Sequence, residues 1–239
     1  MLNNIKIENI LFLDIETVPA LKDYKELTEP MKSLWNRKAK QIRSNPEELP
    51  EVTYQRAGIY AEFGRIICIS FGQFSKKNSV LKFRLKSIYG HNEAEIITEF
   101  NELLKKHYPP ETHYLCAHNG KEFDFPYIAR RSLINGIQIP KTLDVAGIKP
   151  WDIKHLDTLD LWKFGDYKHY TSLQLLSAIF DIPTPKDDID GSQVAGVYYN
   201  ENNLERIAKY CEKDVLTVAR LLQKYRCEPM IADEFVKFS

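Results

Sequence analysis

The chain has 239 residues with 33 Lys+Arg against 33 Asp+Glu, so its formal net charge at neutral pH is zero, and any hold on a polyanion must come from a local patch rather than bulk charge. Its 44% hydrophobic and 12% aromatic content is enough to bury a sizeable core, in roughly one to two domains by length. The N-terminus lacks the basic start and apolar run of a signal peptide, and no stretch reaches the roughly 18 apolar residues of a membrane span, which points to a soluble cytoplasmic protein.

Ile10–Ile15 is a short, nearly all-apolar run that suits a central strand buried on both faces. Residues 18–63 follow as an insert-like connection carrying Pro19, Pro30, Pro46 and Pro50, too long to be structureless in a compact domain. Within it, Lys32 to Arg43 has helical character and five basic residues (Lys32, Arg37, Lys38, Lys40, Arg43) with no acid, which fits either a solvated face or a patch for backbone phosphates. Arg65–Phe71 is a second buried strand. Leu81, Phe83 and Leu85 then alternate with Lys82, Arg84 and Lys86 as in a half-exposed edge strand, with Ser75–Asn78 as a turn between the two.

Asn92 followed by Glu95 resembles a capping box, and Ile96, Ile97, Phe100, Leu103 and Leu104 keep helical spacing until Pro109–Pro110. Tyr114–Ala117 reads as a buried strand, 124–135 as a helix closed by Gly136, 156–161 as a short strand and Ser172–Phe180 as a helix. From Asn203 to about Tyr225, Leu204, Ile207, Cys211, Val215, Val218 and Leu222 lie on one stripe of an amphipathic helix. Three strands followed by alternating helices and strands predict a mixed α/β sheet with helices on both faces. Cys68, Cys116, Cys211 and Cys227 show neither CxxC pairing nor histidines at zinc-ligand spacing, as expected of buried thiols in a reducing compartment.

Three polar motifs interrupt this pattern. Asp14-Ile-Glu-Thr17 ends the first strand, where open α/β sheets place ligands, and period two sends Asp14 and Glu16 to one side. Carboxylates so close repel unless a cation compensates, and their hard oxygens suit magnesium or manganese. His118-Asn-Gly-Lys-Glu-Phe-Asp124 is a loop delivered by a buried strand; read alone, Asp124 is a helix cap and Asn119-Gly120 a turn. Tyr210-Cys-Glu-Lys-Asp214 puts a hydroxyl and a carboxylate one helical turn apart, flanking the apolar stripe of the last helix.

In order and context the three motifs resemble the DEDD superfamily of 3′–5′ exonucleases, with an RNase H-like fold, and most nearly the DnaQ-like predicted exonucleases related to the proofreading domain of B-family DNA polymerases. The resemblance takes in Asp14–Thr17, Asn119–Ile128, Ser172–Leu176, Asp190–Val194 and Tyr210–Asp214, most of residues 10–225. Lys209 lies five residues before Asp214 and Tyr210 four before it, which is the tyrosine branch.

The resemblance implies a single exonuclease domain over 1–239, with a sheet built of an antiparallel three-strand portion plus parallel strands and an insert at about 18–63. It implies that Asp14, Glu16, Asp124 and Asp214 hold two divalent ions, Mg²⁺ or Mn²⁺, and that Tyr210 orients a water, since a phenol with a pKa of about 10 is a poor base. The implied reaction releases nucleoside 5′-monophosphates from the 3′ end of DNA, most readily single-stranded. An exoribonuclease of the same superfamily and a non-catalytic nucleic-acid-binding module are the alternatives. Thr17 and Val18 would meet the terminal 3′-hydroxyl, and Asn119 and Phe123 the neighbouring sugar or base, with Phe123 equally suited to the core. Lys121, Arg130 and Arg131 would meet phosphates, the two arginines equally suited to an outer helix face. Asp157 and Asp160 match no motif and are left out. The implied partners are a nucleic-acid 3′ end and a polymerase or repair protein in trans, with no membrane.

Overall fold

The structure is a computed structural model that describes residues 2–78, 80–166, 170–183 and 189–238. Its elements are β1 (Ile10–Pro19), α1 (Glu29–Ile42), α2 (Pro50–Thr53), β2 (Gly64–Lys77), β3 (Val80–Tyr89), α3 (Glu93–His107), β4 (Tyr114–Ala117), α4 (Asp124–Ile134), β5 (Leu156–Asp157), α5 (Thr158–Lys163), α6 (Leu173–Ile179), α7 (Val194–Gly196), α8 (Leu204–Tyr225) and β6 (Val236–Phe238). The strands form one sheet in the order β5-β4-β1-β2-β3-β6. β2 runs antiparallel to both of its neighbours, β1 and β3, while β4, β5 and β6 join in parallel, so the sheet is mixed as expected.

β1 is central and sorts its side chains by period two. Leu11, Leu13 and Ile15 face one layer, where Ile96, Ile97 and Phe100 of α3 and Phe125 and Ile128 of α4 close over them. Ile10 and Phe12 face the opposite layer, against Val215, Val218 and Leu222 of α8, with the Phe12 ring edge-on to Phe74 and Phe83. Residues of the second set, including Asp14 and Glu16 by parity, therefore point toward α8. Helices cover both faces of the sheet, the α/β arrangement the sequence predicts.

Several boundaries differ from expectation for physical reasons. β1 does not stop at Ile15 but runs through the acidic motif to Pro19, because the backbone of β2 pairs with it as far as Gly64. β2 continues to Lys77, so Ser75–Lys77 is ladder rather than turn. β3 is not an edge strand, since the three-residue β6 pairs with Phe83–Leu85. The strand expected over 156–161 is only Leu156–Asp157; Asp157 accepts hydrogen bonds from the amides of Leu159 and Asp160 and starts α5 instead. Asn92 caps α3 by accepting from the Ala94 amide, and its own amide donates to Glu95.

Residues 20–63 carry their own small core. Trp35 of α1 is fully buried, donates its indole N–H to Pro50 O at 2.9 Å, and meets Tyr54 and Phe63 edge-on. The segment then docks onto the end of β1 at Gly58. The Gly58 carbonyl accepts from the Thr17 hydroxyl (2.8 Å) and the Tyr127 hydroxyl (2.7 Å). A Cβ at this glycine would lie 2.9 Å from the Val18 carbonyl carbon and 3.0 Å from its Cα, both backbone atoms that cannot swing aside. Gly58→Ala is therefore expected to destabilise the fold by about 1–3 kcal/mol, read as a lowered denaturant midpoint. An unchanged midpoint would show that the segment is not seated on β1.

Candidate active site

The acidic residues converge because β1, the start of α4 and the middle of α8 meet at one place. β4 pairs with β1 only over Ile10–Phe12 and stops at Ala117, which leaves the Ile15 amide of β1 without a strand partner on that side. Asp124, the first residue of α4, supplies the acceptor: its Oδ1 takes the Ile15 N–H at 3.1 Å. The cap of α4 is Phe123, which makes no side-chain cap bond, so Asp124 serves as an acceptor for the next strand rather than as a helix cap. From the other layer, Cys211 of α8 donates its thiol to Asp14 Oδ2 at 3.2 Å. One ligand atom from each of Asp14, Glu16 and Cys211 lies within 4.8 Å of the others. Tyr210 and Asp214, half-buried on the flank of α8, hydrogen-bond to one another beside them.

The electrostatics of this group are adverse. Burial holds the Asp14 carboxyl well above the ordinary carboxylate range, and the neighbouring Asp124 and Asp214 push it further. Glu16 is raised the same way, by burial first and then by Asp14 and Asp214. Burial lifts Asp124 to about 8 even though the Ile15 amide and its own backbone N–H oppose the shift. Tyr210 is driven above its usual value by burial and by Asp214. Among the described residues no lysine or arginine pairs with Asp14, Glu16 or Asp124. Buried Glu16 and Asp124 with half-buried Asp14, unpaired with any cation among the described residues, form a donor set of hard oxygens that fits divalent ions. Cys211 is held protonated by burial and is occupied as a donor, so its sulfur orients Asp14 rather than competing with the oxygens.

Other residues named from sequence fall on both sides of expectation. Thr17 is half-buried and its hydroxyl proton is committed to Gly58, leaving its oxygen as an acceptor. The side chain of Val18 lies in the core with Val197 and Ile207, away from solvent. Asn119 is half-buried in a left-handed turn with φ 63°. Phe123 packs on the core and lies 5.3 Å from the Tyr127 ring, which suits the core role. Lys121 ion-pairs with Asp160 at 3.0 Å. Arg130 is exposed. Arg131 is not available to phosphate: it is buried, paired with Glu93, and donates to Ala61 O at 2.9 Å, because position 131 follows Tyr127 and Ile128 on the inner face of α4.

Two residues matter more than the sequence suggested. Asp157 is buried and gathers the amides of Asn119 (2.9 Å) and Lys121 (3.0 Å) as well as those of α5, so it fixes the turn that delivers Asp124. The pattern Asp157-Thr-Leu-Asp160 is a helix-start signal that could have identified it as a cap, though not as a clamp on a loop 38 residues away. Cys211 could be read only as part of an apolar stripe, since its bond to Asp14 spans 197 residues.

Because the folded chain keeps a proton on Asp124 that the unfolded chain loses near its ordinary pKa of 3.8, metal-free stability should fall as pH rises toward about 8. Melting temperatures in EDTA between about pH 5 and pH 8 should decline, and Asp124→Asn should flatten the decline. A melting temperature that holds or rises over that range would contradict the assignment.

Residues 59–227 match a family model described as a predicted 3′-5′ exonuclease related to the exonuclease domain of PolB. The match includes Asp124, Tyr210 and Asp214 and leaves Asp14, Glu16 and α1 outside it. A DNA polymerase of Pyrococcus glycovorans is 22% identical over 147 residues, covering 56% of this chain and 18% of the polymerase. A DNA polymerase of Pyrococcus horikoshii is 25% identical over 146 residues, covering 56% of this chain and 11% of the polymerase. The chain thus spans less than a fifth of these relatives. In fold it is similar to the family B DNA polymerase of Pyrobaculum calidifontis, with a TM-score of 0.51 and 15% identity over 91% of this chain and 24% of that one. On the family match, which covers well over half its length, the chain belongs to the predicted 3′-5′ exonucleases related to the exonuclease domain of PolB.

Proposed function

We propose that the protein is a metal-dependent 3′–5′ exonuclease that removes nucleoside 5′-monophosphates from the 3′ end of DNA, preferentially single-stranded. The observation that carries this reading is the uncompensated carboxyl cluster of Asp14, Glu16 and Asp124, drawn together by specific hydrogen bonds and adjoined by Asp214. A protein that only binds nucleic acid gains nothing from anions facing a phosphate.

In this reading Asp14, Glu16, Asp124 and Asp214 hold a pair of divalent cations. Such ions supply an acidified water and neutralise charge at the scissile phosphate. The chain's own residues do the positioning. Tyr210 stays a neutral phenol in this acidic setting and so is no base; its O–H, given to Asp214 in the metal-free site, would be released to orient the attacking water once a cation occupied the Asp214 carboxylate. The Thr17 oxygen, whose proton is already given to Gly58, accepts from the terminal 3′-hydroxyl and makes the reaction specific for that end. Asn119 meets the adjoining sugar. A polymerase or repair protein acting in trans, in the cytoplasm where the free cysteines stay reduced, completes the proposal.

With Mg²⁺ or Mn²⁺ the purified protein should shorten a single strand stepwise from its 3′ end, and Asp14→Ala should abolish the activity. Release of a 5′-terminal label as the first product would contradict the polarity. Tyr210→Phe should lower kcat by about 10²–10³-fold, the loss expected for one preorganised donor, with manganese affinity nearly unchanged in a parallel titration. Wild-type turnover in that variant would remove Tyr210 from the mechanism.

A further inference from the structure

We infer that the face of α1 turned away from Trp35 is a second nucleic-acid contact, a groove that takes backbone phosphates of the strand outside the acidic site. This rests on the exonuclease reading and names where the rest of the substrate is held.

The four basic residues of this helix and Arg43, its C-cap, do not all play one part. The Lys38 ammonium lies 4.2 Å from the centroid of the Tyr60 ring, and Arg43 donates to Pro46 O at 2.7 Å, so both serve the segment's own fold. Lys32 pairs with Glu29 at 2.9 Å. Arg37 and Lys40 are exposed and have neither ion pair nor hydrogen bond among the described residues. They line an open groove of about 350 Å³ together with Lys32, Ser33, Asn36 and Tyr24, and Glu29 borders it beside Lys32. Residues 32, 36 and 40 recur at one helical turn, as do 33 and 37, so the donors form a continuous row. Tyr24 and Asn36 hydrogen-bond to each other at 2.8 Å within it.

Charge complementarity selects the occupant. The whole chain is neutral, yet this row presents two unpaired cations and polar donors, with its single acid already neutralised. Phosphates along a strand are the anion that such a row fits, since an apolar partner would leave those charges buried and unpaired. The groove is also mechanically tied to the acidic site. Trp35 and Ala39 bury the opposite side of α1 in the small core with Tyr54 and Ala57, and the next residue, Gly58, is bonded to Thr17 immediately after Glu16. α1 lies outside the region matched by the family model, so this contact is a feature of this chain rather than of the matched portion.

The test is the salt dependence of binding to a labelled 20-nucleotide single strand, measured by anisotropy in EDTA so that hydrolysis plays no part, with DNA and RNA of the same sequence as separate arms. For single strands each lost phosphate contact lowers the slope of log Kd against log salt by about 0.7, so Arg37→Ala with Lys40→Ala should lower it by about 1.4. The charge-conserving pair Arg37→Lys with Lys40→Arg should keep the wild-type slope. A change in both arms supports a backbone contact common to both nucleic acids, and a change in one arm assigns the groove to that one. An unchanged slope in the alanine pair, or equal loss in the charge-conserving pair, overturns the inference. Hydrolysis by the wild type with Mn²⁺ is scored separately: its failure would strike the exonuclease reading while leaving the slope result intact.

Discussion

Carboxyl groups withdrawn from water and set against one another are the constraint around which this molecule is arranged. Left alone, such a cluster favours protonation or opening of the site, and the structure resists the second outcome at each element. Asp14 and Glu16 cannot turn away because their stretch of β1 is paired in register with Ser70 and Cys68 of β2. Asp124 cannot retreat without abandoning the Ile15 amide, a donor that the early end of β4 leaves with no alternative. The result is a group of carboxyls held in place by the surrounding backbone, the pre-organisation that the proposed metal-assisted hydrolysis would require.

Beneath these groups a second set of residues holds the first in place. Asp157 accepts from the turn that leads to Asp124, and the Cys211 thiol fixes one oxygen of Asp14 from the opposite layer. His118, whose ring burial keeps neutral, ties the same turn to Thr158 at 2.9 Å and to the carbonyl of Thr171 at 3.1 Å. Gly58 brings residues 20–63 against the site end of β1, so a segment with its own small core is seated beside Thr17. None of these residues needs to meet a metal or substrate atom to matter; each restricts where a carboxyl or hydroxyl can be.

What was readable in the sequence follows the range of the interactions involved. The apolar run of β1 and the stripe of α8 are local periodicities, and both appear where their patterns place them, as does β4. The acidic motifs were readable only together, because each alone has a plain structural reading and it is their order and contexts that coincide. Arg131 was not distinguished from Arg130 in the sequence; its spacing from Tyr127 and Ile128 assigns it to the inner face only once α4 is seen to bury that pair. The partnership of Asp157 with residues 119–121, the bond between Cys211 and Asp14, and the pairing of β6 with β3 join distant stretches, and no local pattern encodes them. Residues 20–63 lay between these cases: the helix at α1 was legible from its composition, but its attachment through one glycine carbonyl was not.

The claim that the cluster exists to hold cations is tested most directly by calorimetric titration of manganese into metal-free protein at about pH 6.5, repeated in buffers of different ionisation enthalpy. If raised carboxyl pKa values are the cost that metal binding relieves, manganese must bind and must expel protons, and the apparent enthalpy will vary with the buffer. Absence of binding, or binding with no proton release, would contradict the account.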